Sequence, residues 1–420
     1  MKGRFEMKKA IVSSIVGLLC GSLLSFAPTS VTAEEATTIT YGIWDSNQEP
    51  GLRKIADEFE KQNPGIKVDI QVTGWDGYWT MLEAAATGGS LPDVFWMHSN
   101  EIFKYGSNDM LLDLTSYIEK DNVDLTKFPE GLVKIYNVKE KQYALPKDFD
   151  TIGLWYNKKM FDEAGLEYPN SNWTWEDLKA AAEKLTKKDG SQYGISAPLI
   201  NQEGYYNFVY QNGGTILTED RKSGYDLKET IEAIDYYFSF VNDGQSFRTY
   251  KDADARAQLE NGMAAMGVFG SWQLPAFLDN EYLSENFDVA ELPSKDGKKA
   301  SIYNGLGNAI SANTEHPEEA WKFVKFLSGE EGQKMQAELG VAISAYEGTA
   351  DLWANTHKNF NLQAYIDMVQ YGPVRPYTDN TTVWEEKAYE ILQSAYTGEK
   401  TAEEACKEVA EAMNQFISQE

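Results

Sequence analysis

Histidine and cysteine are scarce here: His98, His316 and His357, with Cys20 and Cys406, are all there are in 420 residues. None falls in an HExxH, CxxC or calcium-loop spacing, so no metal site is encoded and no cofactor is expected. His98 directly follows the apolar run PDVFWM, at a strand end where parallel sheets present ligands, so it is a candidate contact as well as an ordinary loop histidine. His316 precedes Pro317 and reads as a helix-opening residue, while His357 carries no reading. Cys406 lies on a helical pattern with no basic partner beside it, so a free thiol rather than a nucleophile is expected. There is no GxSxG and no GxxxxGK[ST]. Gly305 and Gly307 in YNGLGNAIS are spaced GxG but lack the strand and long helix of a dinucleotide fingerprint; they read as close approach of backbone to a neighbouring strand or to a ligand. Glycoside hydrolysis needs only two carboxylates flanking a sugar. Asp45, Asp148 and Asp150 are candidates, but among 65 acidic residues some pair always qualifies.

Aromatic residues say more. Eleven Trp, 24 Tyr and 19 Phe make up 13% of the chain, and several stand beside polar groups at loop-like positions. These are Trp44-Asp45, Trp75-Asp76 with Tyr78-Trp79, Trp96 with His98-Ser99-Asn100, Gly204-Tyr205-Tyr206-Asn207, and Gly270-Ser271-Trp272. A pyranose offers an apolar C–H face and a ring of hydroxyls; indole covers the first and carboxylates or amides pair the second. Trp272, at a glycine-flanked strand end, is the leading candidate for ligand stacking. Trp321, on one face of a helical pattern, reads as core.

The elements that must carry these residues follow from periodicity. TITYGIW (38–44) reads as a strand, Leu52 to Asn63 as a helix with Leu52, Ile55, Ala56 and Phe59 on one face, and IKVDIQV (66–72) as the next strand. WTMLEAAATG is a helix closed by glycines, and PDVFWM (92–97) a short buried strand; parallel sheet covered by helices is the natural packing. YALPKDFDTIGLWYN changes texture and reads as a crossing into a second lobe. There, Trp175 to Leu185 forms a helix opened by Thr174, with Asp177 three residues on, just short of a capping box. Tyr225 to Gly244 is another helix, NGMAAMGVFGSW holds a strand from near Ala264, FDVAELP (287–293) is a strand, and a helix starts at Pro317. From Leu362 the chain is mostly helical, ending in the acidic run Thr401 to Ile417.

The formal charge of -27 excludes a protein that reads nucleic-acid backbones. At the N-terminus, Lys2, Arg4, Lys8 and Lys9 precede the largely apolar run Ala10 to Ala27, with small residues at Val31 and Ala33. This is the pattern of a secretory leader cut after Ala33. The alternatives are an uncleaved anchor, or lipidation at Cys20, where Gly17-Leu18-Leu19-Cys20 departs from the usual order of a lipidation site. No later stretch is long and apolar enough to span a bilayer.

Six segments, taken in order, resemble the extracellular solute-binding proteins of ABC transporters, in the oligosaccharide-binding (maltose-type) branch. They are FEKQNPGIKVDI (59–70), SLPDVFWM (90–97), PKDFDTIGLWYNKKMFDEAG (146–165), WTWEDLKAAAEKLT (173–186), ENGMAAMGVFGSW (260–272) and HPEEAWKFVKFLSGEEGQ (316–333). The resemblance implies a two-lobed α/β fold of the periplasmic-binding-protein (type II) kind, with mixed sheets flanked by helices and a helical C-terminus. It implies a signal peptide at 1–33, a first lobe of 34–145 plus 302–345, and a second of 146–301 plus 346–420. Crossings are expected near Tyr143–Asp150, Ser301–Gly307 and Gly340–Thr349. The implied function is capture of a neutral oligosaccharide outside the membrane and delivery to a permease, by a monomer and without chemistry. A glycoside hydrolase, a surface glycan-adhesion module, and a binding protein for peptide or polyamine are the alternatives. Carried over, Trp44, Asp45, Trp75, His98, Ser99, Asn100, Asp148, Asp150 and Trp272 face the ligand. Gly305 lets it approach, and Arg375 in GPVRPY addresses a hydroxyl pair or closes the lobes.

Overall fold

The computed structural model describes Ala36–Glu420, which form one unit. The leader, its cleavage point after Ala33 and Cys20 lie outside the described residues. β1 (Thr37–Ile43), β2 (Ile66–Val72) and β3 (Val94–Met97) pair in parallel, as strand–helix–strand units require. The ribbon β4 (Asn137–Val138) and β5 (Lys141–Gln142) leads to β6 (Ala144–Pro146), from which the chain departs into a second sheet. That sheet comprises β7 (Ile152–Asn157), β8 (Met266–Gly270) and β9 (Phe287–Ala290), in the order β8-β7-β9. β10 (Gly307–Ile310) then returns to complete the first sheet, in the order β2-β1-β3-β10-β6.

The parallel packing expected from the sequence therefore stops at β3. β10 arrives from the other lobe and runs antiparallel to both β3 and β6, and the second sheet is wholly antiparallel. Strand alternation cannot reveal this, because direction is set by where the connection comes from. The architecture is two α/β lobes with mixed or antiparallel sheets, flanked by helices and closed by helices Thr381–Tyr396 and Ala402–Ile417.

One core lies in each lobe, and a third, holding Phe95 and Tyr136 together with Trp155 and Phe269, joins the two. Leu52, Ile55, Ala56 and Phe59 of the first helix pack with β1 and with Trp321, Phe323 and Val324 of helix Pro317–Ser328. In the second lobe, Trp175, Leu178 and Leu185 join Ile234, Tyr237, Trp384 and Met413 around β7 and β8. Helix Trp175–Leu185 starts where expected, and the Thr174–Asp177 capping box is fully formed. Cys406 sits in this core, and burial pushes its thiol up to about 12, an inert group.

Three stretches run side by side between the sheets. Asp150 and Asn304 exchange backbone hydrogen bonds (2.9 and 3.3 Å), and Phe149 N–H donates to Ile343 O (3.1 Å). Gln333 clamps the first to the third: its Nε2 donates to Lys147 O (2.7 Å), while its Oε1 accepts from Ser344 Oγ (2.8 Å) and Ala345 N (2.9 Å). These stretches lie within Tyr143–Asp150, Ser301–Gly307 and Gly340–Thr349.

Candidate functional site

The first lobe offers an aromatic wall at the carboxyl ends of its parallel strands. Trp44 leaves β1, and Trp75 and Trp79 project from helix Trp75–Gly88. Trp44 meets Trp75 at 5.1 Å, Trp79 at 5.9 Å and Trp96 at 4.9 Å between ring centroids. Trp96 and Tyr78 are fully buried and form the backing; Trp75, 43% exposed, is the outer face. The sequence reading put Trp75 at a loop-like position, whereas Gly74 N-caps a helix that begins at Trp75. The helical spacing of Trp75, Tyr78, Trp79 and Leu82 gathers them on one side.

His98 extends the wall, 5.5 Å from Trp75. Its Nδ1 accepts from Asn100 N–H (3.2 Å), so a neutral ring carries its proton on Nε2. The Asn304 side-chain amide lies 2.9 Å from Nε2 and must turn its oxygen to accept that proton, leaving its other amide atom without a partner. Burial, then the Arg375 charge, holds His98 down to about 3, so it stays neutral at physiological pH.

Asn304 belongs to the second crossing and touches Asp150 of the first through backbone. Asp150 Oδ1 accepts from Gln202 Nε2 (2.7 Å), and its other oxygen makes no hydrogen bond among the described residues. Burial and the neighbouring Asp148 charge push Asp150 up to about 8. Gln202 lies in the tight turn Asn201–Tyr205, where Gly204 adopts φ -156 and ψ -123. The next residue, Glu203, is 3% exposed, and its Oε1 accepts from Gly270 N (2.8 Å). Burial, then Asp252, pushes Glu203 up to about 8. Gly270 is the base on which Trp272 stands. A Cβ there would fall 2.1 Å from the indole, so only glycine lets the ring fold back over the strand end. Trp272 is half-buried against the second-lobe core. A continuous chain of contacts thus runs from Trp44 and Trp75 through His98, Asn304, Asp150, Gln202 and Glu203 to Trp272.

Some expected residues serve other ends. Asp148 is 5% exposed and holds the crossing: its Oδ2 accepts from Lys147 (2.6 Å) and its Oδ1 from Leu306 N (2.8 Å). It is therefore not a free hydroxyl acceptor. Gly305 is small because a Cβ would fall 2.2 Å from Asp148 O; a neighbouring strand, not a ligand, occupies that approach. Asp45 Oδ1 and Oδ2 accept from Asn47 N (2.9 Å) and Gln48 Nε2 (3.0 Å), shaping the turn that follows Trp44. Tyr205 and Tyr206 are core rather than loop aromatics. Arg375 is buried on Glu385, with Nη2 donating to both carboxylate oxygens (2.7 Å each) and Nη1 to Asn100 Oδ1. That arrangement suits lobe closure and leaves Nε and the second Nη1 N–H for a hydroxyl. Among the described residues, Ser99 Oγ and Arg375 Nε, like one Asn304 amide atom, are buried without a partner.

Glu203, Gln202, Asn304 and Glu385 escaped the sequence reading, since each acts through a partner distant in the chain. The one available signal was the polar NQEG preceding the two tyrosines.

Similarity to known proteins agrees with this geometry. Residues 45–334 match the family described as bacterial extracellular solute-binding protein. An ABC substrate-binding protein from Listeria monocytogenes, solved in complex with cycloalternan, superposes with a TM-score of 0.83 at 29% identity, covering 91% of this chain and all of that one. A solute-binding protein from Thermotoga lettingae bound to α-D-tagatose gives 0.80 at 25% identity, over 91% and 100%. The multiple sugar-binding protein of Streptococcus mutans is 25% identical over 402 residues, 90% of this chain and 89% of its own. Two lobes, three crossings and a match over most of the chain place this protein in the bacterial extracellular solute-binding family.

Proposed function

We propose that this protein captures a neutral oligosaccharide of two to four units outside the membrane and presents it, enclosed between the lobes, to an ABC permease, without altering it. The observation that carries this is the pairing of indole faces at both ends of one polar floor. Trp44 and Trp75 at one end and Trp272 at the other cover sugar C–H faces. Ser99, Asn304, Asp150 and Glu203 along the floor, with Arg375 Nε, pair with hydroxyls. The solved relatives bound to a cyclic oligosaccharide and to a ketose support a sugar, and the charge of -27 disfavours anionic ligands. The lobes divide at 34–145 plus 302–345 and 146–301 plus 346–420. The exported chain acts as a monomer, cut after Ala33 or tethered at Cys20. Contacts on both lobes form together only when they meet, which makes closure ligand-driven.

Calorimetry against neutral oligosaccharides, uronic-acid oligomers, peptides and spermidine tests the ligand class. Binding to any of the last three with none to the first refutes it. Small-angle scattering at saturating sugar should show a more compact particle, and an unchanged profile refutes ligand-driven closure. The buried carboxyls Asp150 and Glu203 give one competing reading, an acid pair for glycoside hydrolysis. Mass analysis after incubation separates the two: intact sugar supports capture, and shorter products in excess of protein support hydrolysis.

A further inference from the structure

Glu385, on helix Thr381–Tyr396, is the meeting point of three groups from different parts of the chain. It accepts from Arg375 Nη2 through both oxygens (2.7 Å), from Tyr206 Oη at 3.2 Å and from Asn100 Nδ2 at 3.3 Å. Asn100 belongs to the first lobe; the other two are in the second. Arg375 Nη1 closes the figure by donating to Asn100 Oδ1, so the Asn100 amide is read from both ends. Further along the same two segments, Thr382 Oγ1 donates to Glu101 Oε1 (2.7 Å), and the Phe103 and Tyr377 rings stand 5.9 Å apart. Every first-lobe member lies in 100–103, continuous with His98 and Ser99. Every second-lobe partner lies in 375–385, apart from Tyr206. Backbone bonds from Arg375 N to Tyr303 O (2.8 Å) and from Tyr303 N to Pro373 O (3.2 Å) fasten the inner end of this strip to the second crossing.

We propose that Glu385 is a positioning residue for ligand capture: it orients Arg375 and Asn100 so that the turn 98–101 and the start of helix Ile102–Ser107 latch the first lobe onto the second-lobe helix. The arrangement has the marks of a latch. Arg375 and Glu385 are 4% and 10% exposed at their side chains, so the pair is shielded from salt and keeps a fixed bidentate geometry. Asn100 is neutral and can leave without stranding a charge, whereas Arg375 stays compensated by Glu385 in either state. The latch therefore biases the lobes toward closure before ligand contributes. Because the latch and the ligand-facing His98–Ser99 share one turn, a ligand that orders that turn strengthens it. This rests on the two-lobed architecture and not on the ligand being a sugar.

The test places one spin label on each lobe, at Lys54→Cys and Glu232→Cys, both exposed, and measures the distance distribution by pulsed electron resonance on the mature protein with no sugar added. Cys406 is buried and takes no label. N100A removes the first-lobe partner and leaves the Arg375–Glu385 pair intact. T382V removes the outer link with little change in shape. R375M/E385L replaces the ion pair by apolar residues of similar volume, a change that buried pairs often tolerate. Each should move population from the short distance to a longer, broader one, with the closed fraction falling by about twofold or more, while N100A and T382V melt within a degree or two of the parent. If R375M/E385L does not fold, N100A and T382V decide. Distributions for both that overlay the parent overturn the proposal. A failed ligand screen leaves this readout untouched, so failure of the latch and failure of the sugar reading are separate results.

Discussion

Glu203→Gln isolates the electrostatics of the polar floor. The glutamine keeps an oxygen for Gly270 N–H and changes the volume hardly at all, so packing under Trp272 is preserved. What it removes is a carboxyl whose pKa is raised from 4.5 to about 8, by burial first and then by Asp252. In the unfolded chain that carboxyl loses its proton near pH 4.5; in the folded protein it keeps the proton up to pH 8. Its contribution to stability is therefore complete below pH 4.5 and drains away as pH rises to 8, beyond which nothing more is lost. A raise of that size corresponds to on the order of 5 kcal/mol at 1.36 kcal/mol per pH unit. Urea unfolding of the mature protein and of E203Q at several values between pH 4.5 and 9 measures it. The parent should lose several kcal/mol relative to E203Q between pH 4.5 and 8, and the two should run parallel above that. Curves that stay parallel to within about 1 kcal/mol throughout would refute the burial argument, because a solvated carboxyl contributes no such slope.

Trp272→Ala should weaken binding of whichever sugar the screen identifies by about 2 kcal/mol or more in calorimetry. Gly270→Ala should do nearly as much, since its Cβ would displace the indole; full affinity in G270A would show that the ring's position is unimportant. Nitrogen-15 spectra should find His98 as the Nε2–H tautomer, with no titration between pH 5 and 8, and a midpoint near 6.5 would contradict its burial. Thr174→Ala should lower stability by about 1 kcal/mol in urea unfolding without affecting ligand affinity, because the cap lies at a solvent-exposed helix start.

Elements with strong periodicity were legible. Ile66–Val72, Trp175–Leu185 and Pro317–Ser328 occupy the ranges that apolar spacing and caps indicate. The aromatic wall was legible as well, since Trp44 and Trp75 stand next to acids in a way core residues seldom do. The polar floor was only half legible. Asp148 and Asp150 are two residues apart and look alike in sequence, yet one is neutralised by Lys147 and the other is not. That distinction is made by Leu306 and Gln202, 158 and 52 residues away. Glu203 was hidden for a different reason. Its turn depends on Gly204 backbone angles outside any helix, and no spacing rule anticipates them. Strand direction was hidden too, because β10 reads the same from its own residues whichever way it runs.

The place of β10 in the first sheet governs the order in which this protein can be assembled. Gly307–Ile310 lies between β3 and β6, pairing with residues that precede it by more than 160 positions. Synthesis therefore delivers β1, β2, β3 and β6 long before the strand that joins them, and the sheet keeps an open slot until Ile310 has emerged. Such long-range pairing makes folding slow, because the loop must close before any contact rewards it. For a member of an extracellular protein family that delay has a use: the polypeptide stays threadable while most of it is being made. Its first lobe locks only after the greater part of the second has been delivered.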